Sequence, residues 1–171
     1  MAPLAFPSIP ILSASSLACL FILLGVAVYF DLRYRRIPNG LPLLVALAAV
    51  PYWGGVSGHA MPAAMGQQLL ILLIAAVPLL ALFAVGALGG GDVKLLGALL
   101  LWTRAGDVLA MLAIIILAGG VVAVGALAHG LWRRRKPSEA TVPFGLAIAA
   151  GAMPVLIGDL VVSLKALGLP G

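Results

Sequence analysis

Hydrophobic residues run through this chain in continuous stretches of helix length, and the few polar positions fall between the stretches. Residues 11–30, 41–53, 68–88, 93–102, 108–128 and 142–162 each form an apolar run bounded by charge, glycine or proline. This is the pattern of membrane helices, not the ten-residue alternation of a lipid-facing barrel. The expected fold is an all-α integral membrane protein, a bundle of six transmembrane helices in a single domain over residues 1–171. Pro38 should stop the chain after the first run, and Pro78 should kink the third. Two runs are short, 41–53 and 93–102. At 1.5 Å per residue they give about 20 and 15 Å of helix, against a hydrocarbon core of about 30 Å. Either the bilayer thins there, or these helices stop within membrane depth around a water-accessible cavity.

Composition agrees with the pattern. At 64% hydrophobic and 9% charged residues, with a mean hydropathy of +1.23, the chain has too little polar surface to cover a soluble globule. Cys19 is the lone cysteine, which excludes an internal disulfide and a cysteine-cluster zinc site. The net charge of +5 reads as a topology signal and gives no reason to expect a nucleic-acid partner; the partner that the composition implies is the lipid bilayer. Six crossings with an external N-terminus put Arg33, Arg35, Arg36, Lys94 and residues 133–136 on the inner side, leaving only Arg104 and Lys165 outside. Both termini are expected outside. The first run has no basic residue before it and no small-residue cleavage site after it, so it reads as a retained helix and not a removable signal peptide.

Charge inside such a chain needs a reason, because an Asp at the centre of a membrane helix costs about 2.5 to 3.5 kcal/mol on insertion scales. Of the five carboxylates, Asp31, Asp92 and Glu139 fall on the inner side, and Asp107 and Asp159 on the outer. Asp92 follows Gly89, Gly90 and Gly91 at the start of a short helix, where it could simply cap free backbone N–H groups. Two full crossings separate it from Asp31, however, so the two acids can meet. Two close carboxylates cannot both ionise readily, and the pair then holds one proton near neutral pH. That places an acid beside a base, able to activate a water against a peptide carbonyl without a metal or cofactor. His59 and His129 lie in different boundary regions, and neither has a metal-ligand neighbour. On these residues alone, three classes stay open: a hydrolase, a proton-coupled transporter and an assembly subunit. Two acids on one side, with no inverted repeat, count against a transport path.

Gly89-Gly90-Gly91-Asp92-Val93-Lys94-Leu95 resembles the GxGD signature of membrane aspartic proteases. Asp31, followed by Ile37-Pro38-Asn39, is similar to the first-aspartate motif of type IV prepilin peptidases, and Pro143-Phe144-Gly145 to a third motif of that family. The resemblance implies Asp31 and Asp92 as the catalytic pair, and it implies that the glycines give a substrate backbone access. Pro38, Asn39, Lys94, Pro143, Phe144 and Gly145 are implied as supporting residues. It further implies cleavage of prepilin-like precursors on the cytoplasmic side of the bacterial inner membrane, after a glycine that precedes a hydrophobic helix. The short form resembles the peptidases of tight-adherence (Flp) pilus systems, with archaeal preflagellin peptidases as close relatives. Larger members carry a cysteine-containing cytoplasmic region and methylate the new amino terminus; that region is lacking here, so cleavage without methylation is expected. No cofactor is implied, and the oligomeric state is left open.

Overall fold

Helix boundaries follow from proline, glycine and one left-handed residue. The computed structural model describes residues 9–132 and 144–168. Helix α1, Pro10–Tyr34, starts on a proline in its first turn, where the missing N–H costs no hydrogen bond. It ends at Arg35, whose left-handed backbone (φ 55°) returns its N–H to the Asp31 carbonyl. Asp31 therefore sits, buried, in the last turn of α1.

Helix α2, Gly40–Ser57, carries five residues more than the hydrophobic run predicts. At about 27 Å it is not a short span. Gly54 and Gly55, which bound the second apolar run, are helical, and at Gly55 for a packing reason: a Cβ there would stand 2.6 Å from the Ser13 nitrogen, and the Gly55 carbonyl accepts the Ile9 N–H at 2.9 Å. The turn comes next. Gly58, at φ 51°, leads through a single 3-10 turn into α3, Met61–Ala84, with Pro78 inside it. Asn39 and Pro42 at the start of α2 line the same groove as Leu79 and Leu80 near the end of α3, so the two helices form an antiparallel hairpin.

Helix α4, Gly90–Leu100, has 11 residues and measures about 16 Å. Its last carbonyls lack the regular helical partner in a medium that supplies none; Ala98, Leu99 and Leu100 O accept the N–H groups of Leu101, Trp102 and Thr103 at 3.3, 2.9 and 3.3 Å, and side chains add to these. The Trp53 indole N–H donates to Leu101 O at 2.7 Å, and Thr103 Oγ1 donates to Leu99 O at 3.1 Å. With its amide nitrogen turned toward this end, buried Gln68 donates to Leu100 O and Thr103 O at 3.2 and 2.9 Å. Trp102 returns the link, its indole N–H reaching Val45 O at 2.9 Å. A 3-10 turn at Ala105–Asp107 leads into α5, Val108–Trp132, and the description resumes with α6, Phe144–Ala166.

Helix α1 packs on α2 and α6, α5 packs on α6, and α4 sits among α2, α3 and α6. Among the described residues, four helical stretches are long and apolar enough to cross a membrane: Pro10–Tyr34, Gly40–Ala84, Ala105–Gly125 and Phe144–Ala166. The second is the α2–α3 hairpin, whose helical structure continues through the 3-10 turn. The expectation of an all-helical membrane protein holds. The count of six spanning helices does not follow directly: with α2 and α3 continuous, the described residues form five helical stretches, and α4 is too short to span, which leaves the four.

Candidate active site

The end of α1 and the start of α4 meet in one open cleft of about 270 Å³, with Asp31, Arg35 and Arg36 on one side and Gly89, Gly91 and Asp92 on the other. Glycine makes the approach possible. A Cβ on Gly91 would lie 3.1 Å from the Ile37 Cβ, so a side chain there would push the two segments apart. A Cβ on Gly89 would lie 2.8 Å from Asp92 Oδ2. Gly89 is the N-cap of α4 and Asp92 lies in its first turn, with the Gly89 N–H donating back to the Asp92 carboxylate. This is the reciprocal half of a capping box. The capping role weighed from the sequence is thus real, although α4 begins at Gly90, three residues earlier than the hydrophobic run.

The cap does not account for the surroundings of Asp92. Burial, and then the neighbouring Asp31 carboxylate, push its pKa up to about 6, while the Gly89 N–H pulls the other way. Asp92 lies in the one helix too short to cross a membrane, at its cleft end. A group poised near neutrality beside a second acid is suited to general acid–base work.

Asp31 is held from a third element. The backbone N–H of Gly145, in the first turn of α6, donates to Asp31 Oδ2 at 2.8 Å. A Cβ on Gly145 would stand 2.9 Å from that oxygen and 3.0 Å from the Asp31 Cβ. The resemblance pointed to Gly145 without giving it a task; its task here is to bring a backbone donor onto Asp31. Phe144 packs with its ring 3.2 Å from where a Gly119 Cβ would be, beside α5. Pro143, Glu139 and the basic residues 133–136 lie outside the described residues.

Lys94 and Asn39 come together outside the cleft, Lys94 Nζ donating to Asn39 Oδ1 at 2.8 Å. Pro38 accepts the Leu41 N–H on its carbonyl at 3.0 Å and shapes the entry to α2. Asp159, by contrast, lies at the other end of α6. It is buried and pairs with Arg104 at 3.0 Å. Among the described residues no three His, Cys, Asp or Glu side chains cluster as metal ligands would. Sequence reasoning passed over Gln68 and the Trp53 indole that finish α4, and the Trp102 indole that ties this end to α2; one signal was the polar pair Gln67-Gln68 opening an apolar run.

Comparison with known families fits this geometry. A model of the type IV leader peptidase family matches residues 18–124, a stretch that holds Asp31, Asp92, Asn39 and Lys94 but stops short of Phe144 and Gly145. No curated protein and no solved structure matches the chain. With well over half of its length matched, the chain belongs to the type IV leader peptidase family.

Proposed function

We propose that this chain is a membrane-embedded aspartic endopeptidase that removes the leader from prepilin-like precursors at the cytoplasmic face, with Asp31 and Asp92 activating the attacking water. The family already indicates prepilin leader peptidase activity in a membrane setting. The observation that carries the finer reading is the shared cleft, in which Asp92 is pushed up to about 6 by burial and by Asp31. A pair holding one proton supplies both halves of the reaction. The ionised carboxylate takes a proton from water, whose oxygen attacks the scissile carbonyl, while the protonated carboxyl donates a hydrogen bond to the carbonyl oxygen. Collapse of the tetrahedral intermediate breaks the C–N bond, and a proton passes to the leaving amine. Gly145 N–H orients Asp31 for this, and the Gly89 N–H orients Asp92.

A substrate with an apolar helix also suits the surroundings. A groove of about 490 Å³ runs between α3, α4, α5 and α6, lined by Leu88, Leu96, Ile115, Phe144 and Ile148 among others. Leu88 precedes Gly89 and Phe144 precedes Gly145, so the groove adjoins both segments that hold the acids. A proton-transport role is less well supported: Asp31 and Asp159 lie at opposite ends of the α1–α6 pair, where Ser13, 18 residues before Asp31, bonds Ser163 at 3.1 Å. In this reading α2 and α3 cross separately, and α4, too short to span by itself, together with the turn after it returns the chain to the outer side, so that the chain changes sides six times in the sense of the basic-residue asymmetry.

Co-expression with a prepilin precursor tests the activity. The expected product is shorter, and its amino terminus begins immediately after the glycine that precedes the apolar helix. An unshortened precursor beside abundant, inserted protein would remove the reading. Orientation is tested with Cys19 replaced and single cysteines placed at Ala87 and Ala105: an impermeant reagent on intact cells should label only Ala105→Cys.

A further inference from the structure

On the other side of α4 from the cleft lies a second groove, of about 450 Å³, walled by Pro42 and Ala46 of α2, Leu72 and Ala76 of α3, and Gly97 and Leu101 of α4. Its wall is apolar except at one end, where Asn39 and Lys94 complete it. The groove extends from Lys94 for seven residues to Leu101 along one face of α4, about 10 Å of helix. Lys94 is exposed and gives one hydrogen bond, to Asn39 Oδ1. An ammonium has three donors, and among the described residues no carboxylate lies within ion-pair distance of it. Asp92, two residues earlier, lines the cleft instead, since positions i and i+2 on a helix do not share a face.

The ligand that matches a long apolar slot with a cation and an amide at one mouth is an anionic amphiphile. We propose that this groove is a binding site for a phospholipid with an anionic headgroup, its phosphate meeting Lys94 Nζ and the Asn39 amide, and an acyl chain lying between α2 and α3. Charge complementarity at the mouth separates this site from an ordinary lipid-covered face, where any headgroup would serve. The small residues Ala46, Ala76 and Gly97 leave the slot open. Gly97 in particular has Leu72 Cδ1 only 3.2 Å from where a Cβ would sit, so the floor of the groove is close helix contact with the chain space above it.

Native mass spectrometry of the purified full chain, exchanged into equimolar phosphatidylglycerol and phosphatidylethanolamine with identical acyl chains, tests the site. The parent protein should retain phosphatidylglycerol in preference. Lys94→Gln should reduce that preference about fivefold, the ratio corresponding to one lysine near an anionic surface. Ala46→Phe and Ala76→Phe, which fill the slot without touching the charge, should lower retention of both lipids. Helix content and membrane insertion are measured alongside, so that a variant that fails to fold is recognised, and Lys94 is exposed enough for Gln to be tolerated. Equal retention of the two lipids by the parent, or an unchanged preference in Lys94→Gln, would overturn the proposal. So would slot-filling variants that leave lipid retention intact while weakening self-association or the capture of a prepilin helix, since the groove would then belong to one of those partners. Asp92→Asn protein should retain lipid like the parent, so this result stands or falls separately from the peptidase reading.

Discussion

Two buried carboxylates at opposite ends of this bundle are treated in opposite ways. Asp159 is given a counter-ion, Arg104 at 3.0 Å, and its second oxygen is left without a hydrogen bond, as is the nearby hydroxyl of Tyr52. Asp31 is given a backbone N–H from α6 and, across a cleft, another acid. A guanidinium neutralises a carboxylate and ties α6 to the α4–α5 turn; it leaves little for the acid to do. Asp31 does the reverse for its neighbour: together with burial it raises the proton affinity of Asp92, in an open cleft. Both are buried, so what separates the acid tied in an ion pair from the one proposed for catalysis is the identity of its neighbour.

The sharpest way to break the comparison is to remove each acid in turn. Asp31→Asn and Asp92→Asn should each lower cleavage of a prepilin precursor at least about a thousandfold, and the double variant should be no worse, as expected of groups acting as a unit. Asn can replace Asp as a helix cap, so cleavage surviving Asp92→Asn in inserted, abundant protein would reduce Asp92 to its capping role. Next in size is Gly145→Ala. Its Cβ would meet Asp31 at 2.9 to 3.1 Å, and displacing the carboxylate by a fraction of an ångström should cost about a hundredfold in rate. Gly151→Ala on the same helix, where a Cβ would lie 2.5 Å from Ile115 Cα, should instead lower the thermal midpoint while leaving the rate per folded molecule close to normal.

Acidity gives the third test. Asp92 binds its proton more tightly in the fold than at its ordinary value of 3.8, so the stability it contributes is full at low pH and is lost as pH rises from 3.8 to about 6. Cleavage that needs the shared proton should fall about tenfold per pH unit above that range. Removing the like charge with Asp31→Asn should move Asp92 back toward ordinary acidity, readable in its carboxyl infrared band. A carboxyl band that titrates at the same pH in both proteins would show that the acids do not interact. The smallest effect is expected at the other end: Asp159→Asn should cost about 1 kcal/mol of stability, between an exposed and a fully buried pair because Arg104 is partly exposed. It should leave cleavage unchanged, and an inactive Asp159→Asn protein would erase the contrast.

Local signals in the sequence were sufficient for the helical class, the family and the pieces of the cleft. Asp31 and Asp92 could be paired because an even number of crossings returns the chain to one side, an argument that needs only the hydrophobic runs. What local reading could not supply were contacts made across the bundle. Gly54 and Gly55 look like a turn unless the backbone of Ser13 is known to lie against Gly55. Nothing beside Arg104 in the chain points to Asp159, which α6 brings to it. The donor on Asp31 is a backbone N–H 114 residues away, and a backbone group leaves no trace in residue identity beyond the glycine that admits it.

The way α4 ends has a consequence for how the protein is made. The Leu101 carbonyl at its end is met by Trp53, and Gln68 adds a donor to Leu100 O; both side chains are synthesised before it. At 11 residues it is too short to enter a bilayer as an independent segment, since spanning takes about 20. The chain therefore provides the receptor first and the helix second: the α2–α3 hairpin must already be in the membrane when α4 docks against it. A nascent chain halted after Thr103 would hold both acids but not the Gly145 N–H that Asp31 accepts, which arrives only with α6.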